Sequence, residues 1–378
     1  SDLHFPARYN IDGHFAAVSS NAKRGMPDWL DPKVPTLPRM LQSTGYATAH
    51  FGKWHLGNDM IPDSPTPAAY GYDEYGAFNC SGEQMPVHED AQHAIAFIEK
   101  NAAAKKPFFS NLWMHEPHTP FHTVPKYEWR FREMKSREDQ IYASVLSHAD
   151  DRIGDVLAAL DRLKLTDNTL VIFSSDNGPA RGSANAKLEL HYDTATGAGW
   201  GIAASKGVTA GRKGYKAALF EGGINVPFIA RWPGKIAAGK IDNASLISAV
   251  DLLPTFCELA GAKLPDGYQP DGISQIEVLQ GKVSATRSKP LFWKMGGGKD
   301  SEFHWANYAV VDRQWKLLTT ADAKRVELYD IAADALETQD LSNEKPEVLK
   351  DIVAKLEAWK ATLPEKPSGD VFSSERTK

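Results

Sequence analysis

The fold is indicated first by the stretch GYATAHFGKWHLG, residues 45–57, in which a short apolar run leads into charged groups. The run covers Ala47–Phe51, and Lys53 and His55 follow it closely. A short, mostly apolar run of this kind is typical of a strand buried on both faces of a sheet. The stretch therefore predicts a buried strand that ends at a lysine and a histidine.

Further runs downstream have the same character, and helices are predicted between them. Strands that alternate with helices predict an α/β fold with a mainly parallel central sheet flanked by helices. The predicted strands are Phe108–Met114, Thr169–Phe173 and, more weakly, Val226–Trp232, and the predicted helices are Thr36–Ser43, Glu89–Asn101 and Arg137–Leu163.

The chain changes character near residue 290, where a hairpin pattern replaces the alternation. Helix Pro346–Leu363 is predicted from its apolar stripe, and strands are predicted over Asn307–Val311, Trp315–Leu318 and Val326–Tyr329. We therefore predict two units. Residues 1–289 form the α/β domain, and residues 290–378 form an α+β subdomain with an antiparallel sheet, one helix and a disordered tail after Pro364.

Composition excludes several classes of protein. Lys and Arg number 43 and Asp and Glu number 48 in 378 residues, which gives a net charge of −5. A chain so close to neutral has no global basic field for nucleic acid. No apolar run approaches the length that spans a bilayer, and Cys80 and Cys257 alone make no disulfide framework.

Polar residues follow three predicted strands where those strands end. If the strands share one parallel sheet, their carboxyl ends meet at one edge, where ligands bind. Asp176 and Asn177 offer hard oxygen donors for Ca²⁺ or Mg²⁺, although Asn-Gly is also a common turn. Lys53 and His55 suit an anion and a proton transfer, or they are a solvated lysine and a hydrogen-bonded loop histidine.

Two more segments are candidates for the same site. His115 and His118 are separated by Glu116 and Pro117, and the prolines disfavour a helix, so a zinc pair has little support. At least one of them is expected to be an ordinary loop histidine. In the basic, glycine-punctuated residues 211–223, Lys213 or Lys216 could reach an anion, or the whole segment is an exposed loop.

Together these segments resemble the type I, formylglycine-dependent sulfatases of the alkaline-phosphatase-like superfamily. Residues 45–55 look like the second signature of that family, with Phe51 where a smaller residue is usual. Asn225 stands where an arginine is common. The other matching segments span nearly the whole chain: His118-Thr119-Pro120, Ser175–Gly178, Lys216 with Glu221-Gly222-Gly223, Asp251–Thr255 and Glu327–Asp330.

The resemblance implies roles for the candidate residues. Asp176 and Asn177 would bind Ca²⁺, with Mg²⁺ as the other option. Lys53 and Lys216 would bind sulfate oxygens. His55 would hydrogen-bond the nucleophile and act as its base. His118 would bind sulfate and assist the leaving oxygen, with His115 on the substrate side. The likeness is nearest to the arylsulfatase and N-acetylgalactosamine-6-sulfatase group, which implies a sulfated carbohydrate or an aryl sulfate as substrate.

The nucleophile of the family is not found in this sequence. The family makes formylglycine within Cys/Ser-x-Pro-x-Arg, upstream of the second signature, and neither this motif nor the family's N-terminal Asp-Asp metal pair occurs here. We therefore expect an N-terminally truncated sulfatase whose formylglycine lies upstream, a chain that is inactive by itself, and weak Ca²⁺ binding.

Two alternatives and a location complete these expectations. A phosphoester hydrolase of the same superfamily shares the metal chemistry, and a degenerate member would bind sulfated glycans without turnover. By family resemblance the protein is periplasmic, secreted or lysosomal.

Overall fold

The computed structural model describes residues 29–57, 64–78, 89–118, 124–180, 207–282, 287–295 and 302–363, with the backbone of residues 192–193 and 197–198. The strands are β1 Ala47–Lys53, β2 Glu74–Phe78, β3 Phe108–Trp113, β4 Val171–Ser174, β5 Tyr192–Asp193, β6 Gly197–Ala198, β7 Phe228–Arg231, β8 Leu291–Lys294, β9 Tyr308–Asp312, β10 Trp315–Thr319 and β11 Val326–Asp330. The α-helices are α1 Leu37–Gln42, α2 Asp90–Ala103, α3 Pro125–Glu128, α4 Arg137–Arg162, α5 Glu221–Ile224, α6 Leu252–Ala260, α7 Ile276–Leu279 and α8 Pro346–Lys360. Short 3₁₀ turns lie at Pro67–Tyr70, Trp129–Phe131, Thr166–Asn168 and Ala249–Asp251.

A parallel three-stranded sheet forms the centre of the first part of the chain. β1 lies between β2 and β3, with Ala49 opposite Glu74. All residues of β1 except the last are buried, as expected for a strand covered on both faces. Helix α2 covers one face, where Ala94 and Phe97 pack against Phe51. The predicted α/β architecture with a parallel sheet and flanking helices is confirmed.

β4 differs from the expectation in its pairing. It forms an antiparallel pair with β7, in which Val171 faces Arg231. Within the described ranges, the β4–β7 pair has no backbone hydrogen-bond ladder to the sheet formed by β1, β2 and β3. The three strands that end in polar residues therefore do not all belong to one sheet in this part of the chain, contrary to the expectation. The expected burial on both faces is also wrong for β4, since none of its residues is fully buried and Phe173 is 44% exposed. An apolar run does not determine which strand it pairs with, because the ladder is made by backbone groups that every residue carries.

The C-terminal part is a four-stranded antiparallel sheet with one helix, as predicted. Its strand order is β11-β10-β9-β8. Helix α8 covers one face, where Ile352 and Leu356 pack with Leu317. Phe220, from the first part of the chain, packs against the other face beside Leu318. The sheet is therefore enclosed between its own helix and the segment that leads into α5.

Some expectations lie outside what the structure describes. The tail from Pro364 onward, Cys80 and residues 1–28 are not among the described residues. Cys257 is a buried free thiol. None of the helices in the described ranges combines the length and apolar character needed to cross a membrane. The boundary between residues 289 and 290 stays a prediction.

Candidate active site

The end of β1 carries the first two candidate groups. Lys53 is the last residue of β1 and is half-buried, and His55 follows it by two residues. Gly52 has a φ of 105°, and a Cβ atom there would lie 2.1 Å from the carbonyl oxygen of Trp113. Only glycine allows β1 and β3 to approach so closely. This glycine therefore sets the position at which Lys53 leaves the sheet.

His50, which the sequence reasoning did not single out, supports this strand end. Its Nε2 donates to the carbonyl oxygen of Lys53 at 2.9 Å, and its Nδ1 accepts from the Asn111 amide at 2.9 Å. Trp54 packs edge-on against the ring at 5.0 Å between centroids. Burial lowers the pKa of His50 to about 4, so the ring is neutral at pH 7. A histidine inside a run predicted to be fully buried is the signal that could have identified it.

In the segment that follows β3, a histidine side chain is exposed to solvent and a carboxylate is buried. His118 is exposed, and its backbone N–H donates to the carbonyl oxygen of His115 at 2.8 Å. The two imidazole rings lie 5.8 Å apart. Between them, Glu116 is buried. This tight turn brings both predicted histidines to the same end of the sheet as Lys53.

Glu116 is held by two groups from helix α4, and the sequence reasoning missed this role. Arg152 of α4 forms ion pairs with Glu116 and with Asp90, the latter at 2.7 Å. The ring of His148 lies 3.4 Å from the Glu116 carboxylate. Burial raises the pKa of Glu116, but the hydrogen bond from His148 and the charge of Arg152 outweigh it and hold this pKa at about 2. The ionised carboxylate therefore anchors the histidine turn to α4.

Lys216 reaches the site from a different loop. Its ammonium donates to Nε2 of His118 at 2.9 Å, and its backbone N–H donates to the carbonyl oxygen of Pro179 at 2.8 Å. Lys213 instead lies over the rings of Phe220 and Tyr329. Of the two lysines that the sequence left open, Lys216 is the one that joins the histidines.

The turn after β4 presents Asp176 and Asn177. Asp176 is exposed, and the amide of Asn177 donates to the carbonyl oxygen of Gly178 at 2.9 Å. The N–H of Gly178 donates to the carbonyl oxygen of Gly223 at 2.9 Å. A Cβ atom on Gly178 would lie 1.9 Å from the Gly222 carbonyl oxygen. Glycine is thus required in both segments, at Gly178 and at Gly222, for the turn to pack against α5.

The electrostatics show that these groups share one environment. Burial, followed by the charges of Lys53, Lys216 and His118, lowers the pKa of His55 to about 4, against the opposing charge of Asp176. Burial, followed by the charge of Lys216, also lowers the pKa of Lys53, again against Asp176. Two ammonium groups and a neutral imidazole near one carboxylate suit the binding of an anion.

The donor set for a metal ion is partial. Asp176 and Asn177 have the oxygen donors that Ca²⁺ and Mg²⁺ prefer, but Ca²⁺ takes about 6–8 oxygens. No cluster of three or more His, Cys, Asp or Glu residues with metal-binding geometry occurs in the part of the chain that the structure describes. These residues therefore do not complete a shell by themselves.

Comparison with known proteins gives matches over most of the chain. The family model described as Sulfatase matches residues 8–262, and the model described as N-sulphoglucosamine sulphohydrolase, C-terminal, matches residues 213–363. N-acetylgalactosamine-6-sulfatase of Sus scrofa is 28% identical over 326 residues, which cover 76% of this chain and 56% of that protein. Arylsulfatase G of Rattus norvegicus is 26% identical over 377 residues, which cover 82% and 68%.

The chain spans about half the length of the first curated relatives it matches, with 52%, 56% and 53% covered. Among solved structures, the crystal structure of Ps i-CgsB superposes with a TM-score of 0.73 and 23% identity, over 98% of this chain and 80% of that one. At this identity the likeness shows the fold.

Proposed function

Since this chain belongs to the sulfatase family, we propose that it supplies the sulfate-binding groups of a sulfuric ester hydrolase that acts on a sulfated carbohydrate. The proposal rests on one observation, the meeting of two lysines and two histidines from three segments at one end of the sheet. These are Lys53, His55, His118 and Lys216. A sulfate monoester presents anionic oxygens, which such a cationic site binds and stabilises as the S–O bond breaks.

Each group has a distinct part in this proposal. Lys53 and Lys216 bind sulfate oxygens, so Lys216 exchanges its hydrogen bond with His118 for one with the substrate. His118, with His115 beside it on the substrate side, delivers a proton to the leaving oxygen. His55 is neutral at pH 7, because burial and its cationic neighbours lower its pKa to about 4. It can therefore accept a proton from the nucleophile.

We place Ca²⁺, with Mg²⁺ as the second choice, at Asp176 and Asn177. When bound, such an ion supplies positive charge to the sulfate oxygens. The other ligands would come from outside the described residues. The nucleophile is proposed to be a formylglycine outside these 378 residues, because the motif that yields it does not occur in the sequence. The chain alone is then expected to bind sulfate esters without hydrolysing them.

Membership of the family supports our proposals for the substrate and the location. Relatives of this chain include proteins named N-acetylgalactosamine-6-sulfatase, which supports a sulfated amino sugar of a glycan as substrate. An aryl sulfate is the simpler mimic to assay. Such glycans are mostly found outside the cytoplasm, so we propose a periplasmic, secreted or lysosomal protein.

A binding experiment on this chain tests the proposal. N-acetylgalactosamine 6-sulfate, the 6-phosphate and the unmodified sugar are titrated by calorimetry with and without Ca²⁺. We expect the sulfated sugar to bind about ten-fold or more tightly than the unmodified one, and Lys53→Met and Lys216→Met to lose about that factor, because each removes a charge-assisted contact. Lys355→Met is the control, since Lys355 pairs with Asp312 and Asp351 in the C-terminal part.

Each other outcome has a defined meaning. Equal binding of the unmodified sugar contradicts a sulfate site. Tighter binding of the phosphate favours a phosphoester hydrolase. Sulfate release by this chain alone overturns the placement of the nucleophile outside it. Binding without turnover in a complete protein favours a sulfated-glycan-binding pseudoenzyme.

A further inference from the structure

A buried ion cluster joins the C-terminal sheet to the loop that carries Lys216. Lys316 in β10 is fully buried, and its ammonium lies 2.7 Å from Glu221 and 2.8 Å from Glu337. Glu337 also accepts a hydrogen bond from the backbone N–H of Glu221 at 2.8 Å. Burying one ammonium with two carboxylates is costly unless the geometry is well satisfied. We call these three residues the Lys316 cluster.

Glu221 is held from several directions at once. One carboxylate oxygen meets Lys316 at 2.7 Å, and the other accepts from the amide of Asn225 at 2.7 Å. Its backbone N–H is bound to Glu337. A side chain and a backbone group fixed together leave Glu221 little freedom to rotate or shift. The first residue of α5 is thus set by β10 and by the loop after β11.

The two residues after Glu221 transmit this position to the site. The N–H of Gly222 donates to the carbonyl oxygen of Lys213 at 2.6 Å, and the carbonyl oxygen of Gly223 accepts from Gly178 at 2.9 Å. A Cβ atom on Gly222 would lie 2.4 Å from the Gly214 carbonyl oxygen. These contacts are made by backbone atoms at close range, so a shift of Glu221 must displace both neighbouring loops. One of those loops leads to Lys216, and the other presents Asp176 and Asn177.

We propose that Lys316 and Glu337 are positioning residues for the sulfate site and act through Glu221. Both side chains are fully buried, so they act through other residues rather than by direct contact with the substrate. They hold the Gly222-Gly223 backbone against Gly178, and this contact keeps Lys216 in register with the Asp176–Asn177 turn. The inference deepens the proposed function and rests on it. It also assigns the C-terminal sheet a part in the site beyond enclosing the core.

Hydrogen exchange on the whole chain tests the link without requiring a ligand. In Lys316→Met, amide exchange at Gly178, Lys216 and Gly222 is expected to accelerate by about ten-fold or more, while helix α4 and strand β1 keep their rates. The affinity for inorganic sulfate, measured by calorimetry, is expected to fall by a similar factor. Lys355→Met, at a half-exposed lysine of the same part of the chain, is expected to change neither quantity.

A second pair of variants keeps the test decisive if Lys316→Met does not fold. Glu337→Ala removes the acceptor for the Glu221 N–H and is expected to loosen the same loops, whereas Glu337→Gln keeps an acceptor and is expected to restore their protection. Unchanged loop exchange in both Lys316→Met and Glu337→Ala overturns the inference, and so does acceleration spread equally over α4 and β1. If the unmodified chain binds no sulfate, the proposed function fails, while the exchange pattern still decides whether the cluster positions these loops.

Discussion

His50 makes the stability of the molecule depend on pH, because a neutral imidazole is buried in the central strand. Burial lowers its pKa from 6.5 to about 4. The unfolded chain therefore binds this proton more readily than the folded one. The stabilising contribution is fully present above pH 6.5 and is lost as the pH falls through about 4. Over that window the loss amounts to about 3 kcal/mol, at roughly 1.4 kcal/mol per pH unit.

We predict that His50→Leu flattens this dependence. Between pH 6.5 and about 4, its free energy of unfolding should fall by about 3 kcal/mol less than that of the unmodified chain. Urea unfolding at a series of pH values measures the difference. His93→Leu is the matched control, because the side chain of His93 is 41% exposed and pairs with an exposed glutamate. If the free energy of unfolding falls equally with pH in His50→Leu and in the unmodified chain, the pH dependence does not come from the burial of His50.

At the residue scale, the sequence identifies groups that act near their own strand and misses groups that act across the chain. Lys53 and His55 could be predicted because they follow an apolar run by two and four positions. Glu337 could not, since it meets the N–H of Glu221 across a separation of 116 residues. His50 lies in the motif itself, but its bond to Asn111 depends on the pairing of β1 with β3.

At the scale of elements, α4 supports the histidine turn through Arg152, together with His148. Arg152 is 4% exposed and bridges the start of α2 and the end of β3. Burial raises the pKa of Asp90 to about 6 although Arg152 opposes it, whereas the pKa of Glu116 is held at about 2. The two carboxylates thus respond differently to one guanidinium. Without that guanidinium, both carboxylates would remain buried with less opposite charge to offset the cost of their desolvation.

We predict that Arg152→Met destabilises the chain by about 3–5 kcal/mol, the usual effect of removing one partner from a buried ion pair. Arg137→Met should cost about 1 kcal/mol or less, because the side chain of Arg137 is 38% exposed in its pair with Glu128 and such pairs contribute little. Denaturant unfolding measures both. If Arg152→Met cannot be purified folded, Glu116→Gln provides the milder change. Equal losses in the two arginine variants would contradict the anchoring role.

Where a periodic apolar pattern extends over many residues, it predicts the ends of the helix or strand to within a few residues. The pattern predicts a helix over Arg137–Leu163, and α4 covers Arg137–Arg162. It also predicts the hairpin that became β9 and β10. The partner of β4 was not predictable, because the apolar side chains of Val171–Ser174 predict only a strand, while the ladder to β7 is formed by backbone groups alone.

At the scale of the whole molecule, the two parts of the chain share one apolar cluster. Phe220 is 2% exposed, and its ring lies 6.1 Å from that of Trp305 and 6.4 Å from that of Tyr329. Leu318 belongs to the same cluster. The apolar surface that both parts contribute to this cluster is removed from water only when the two parts fold against each other. We therefore expect the predicted boundary at residue 290 to separate two kinds of architecture, but not two units that unfold independently.

This expectation leads to a prediction for Phe220→Ala. The truncation removes apolar contacts on both sides of the boundary, and it should lower the free energy of unfolding by about 3–5 kcal/mol. The unmodified chain and the variant should each unfold in one transition that coincides in tryptophan fluorescence and far-ultraviolet circular dichroism. Phe173→Ala, at a side chain that is 44% exposed, should cost about 1 kcal/mol or less. Two separate transitions, of which Phe220→Ala moves only one, would instead show that residues 290–378 fold as an independent unit. The ion cluster around Lys316 would then join two domains that can open, because its carboxylates come from both sides of that boundary.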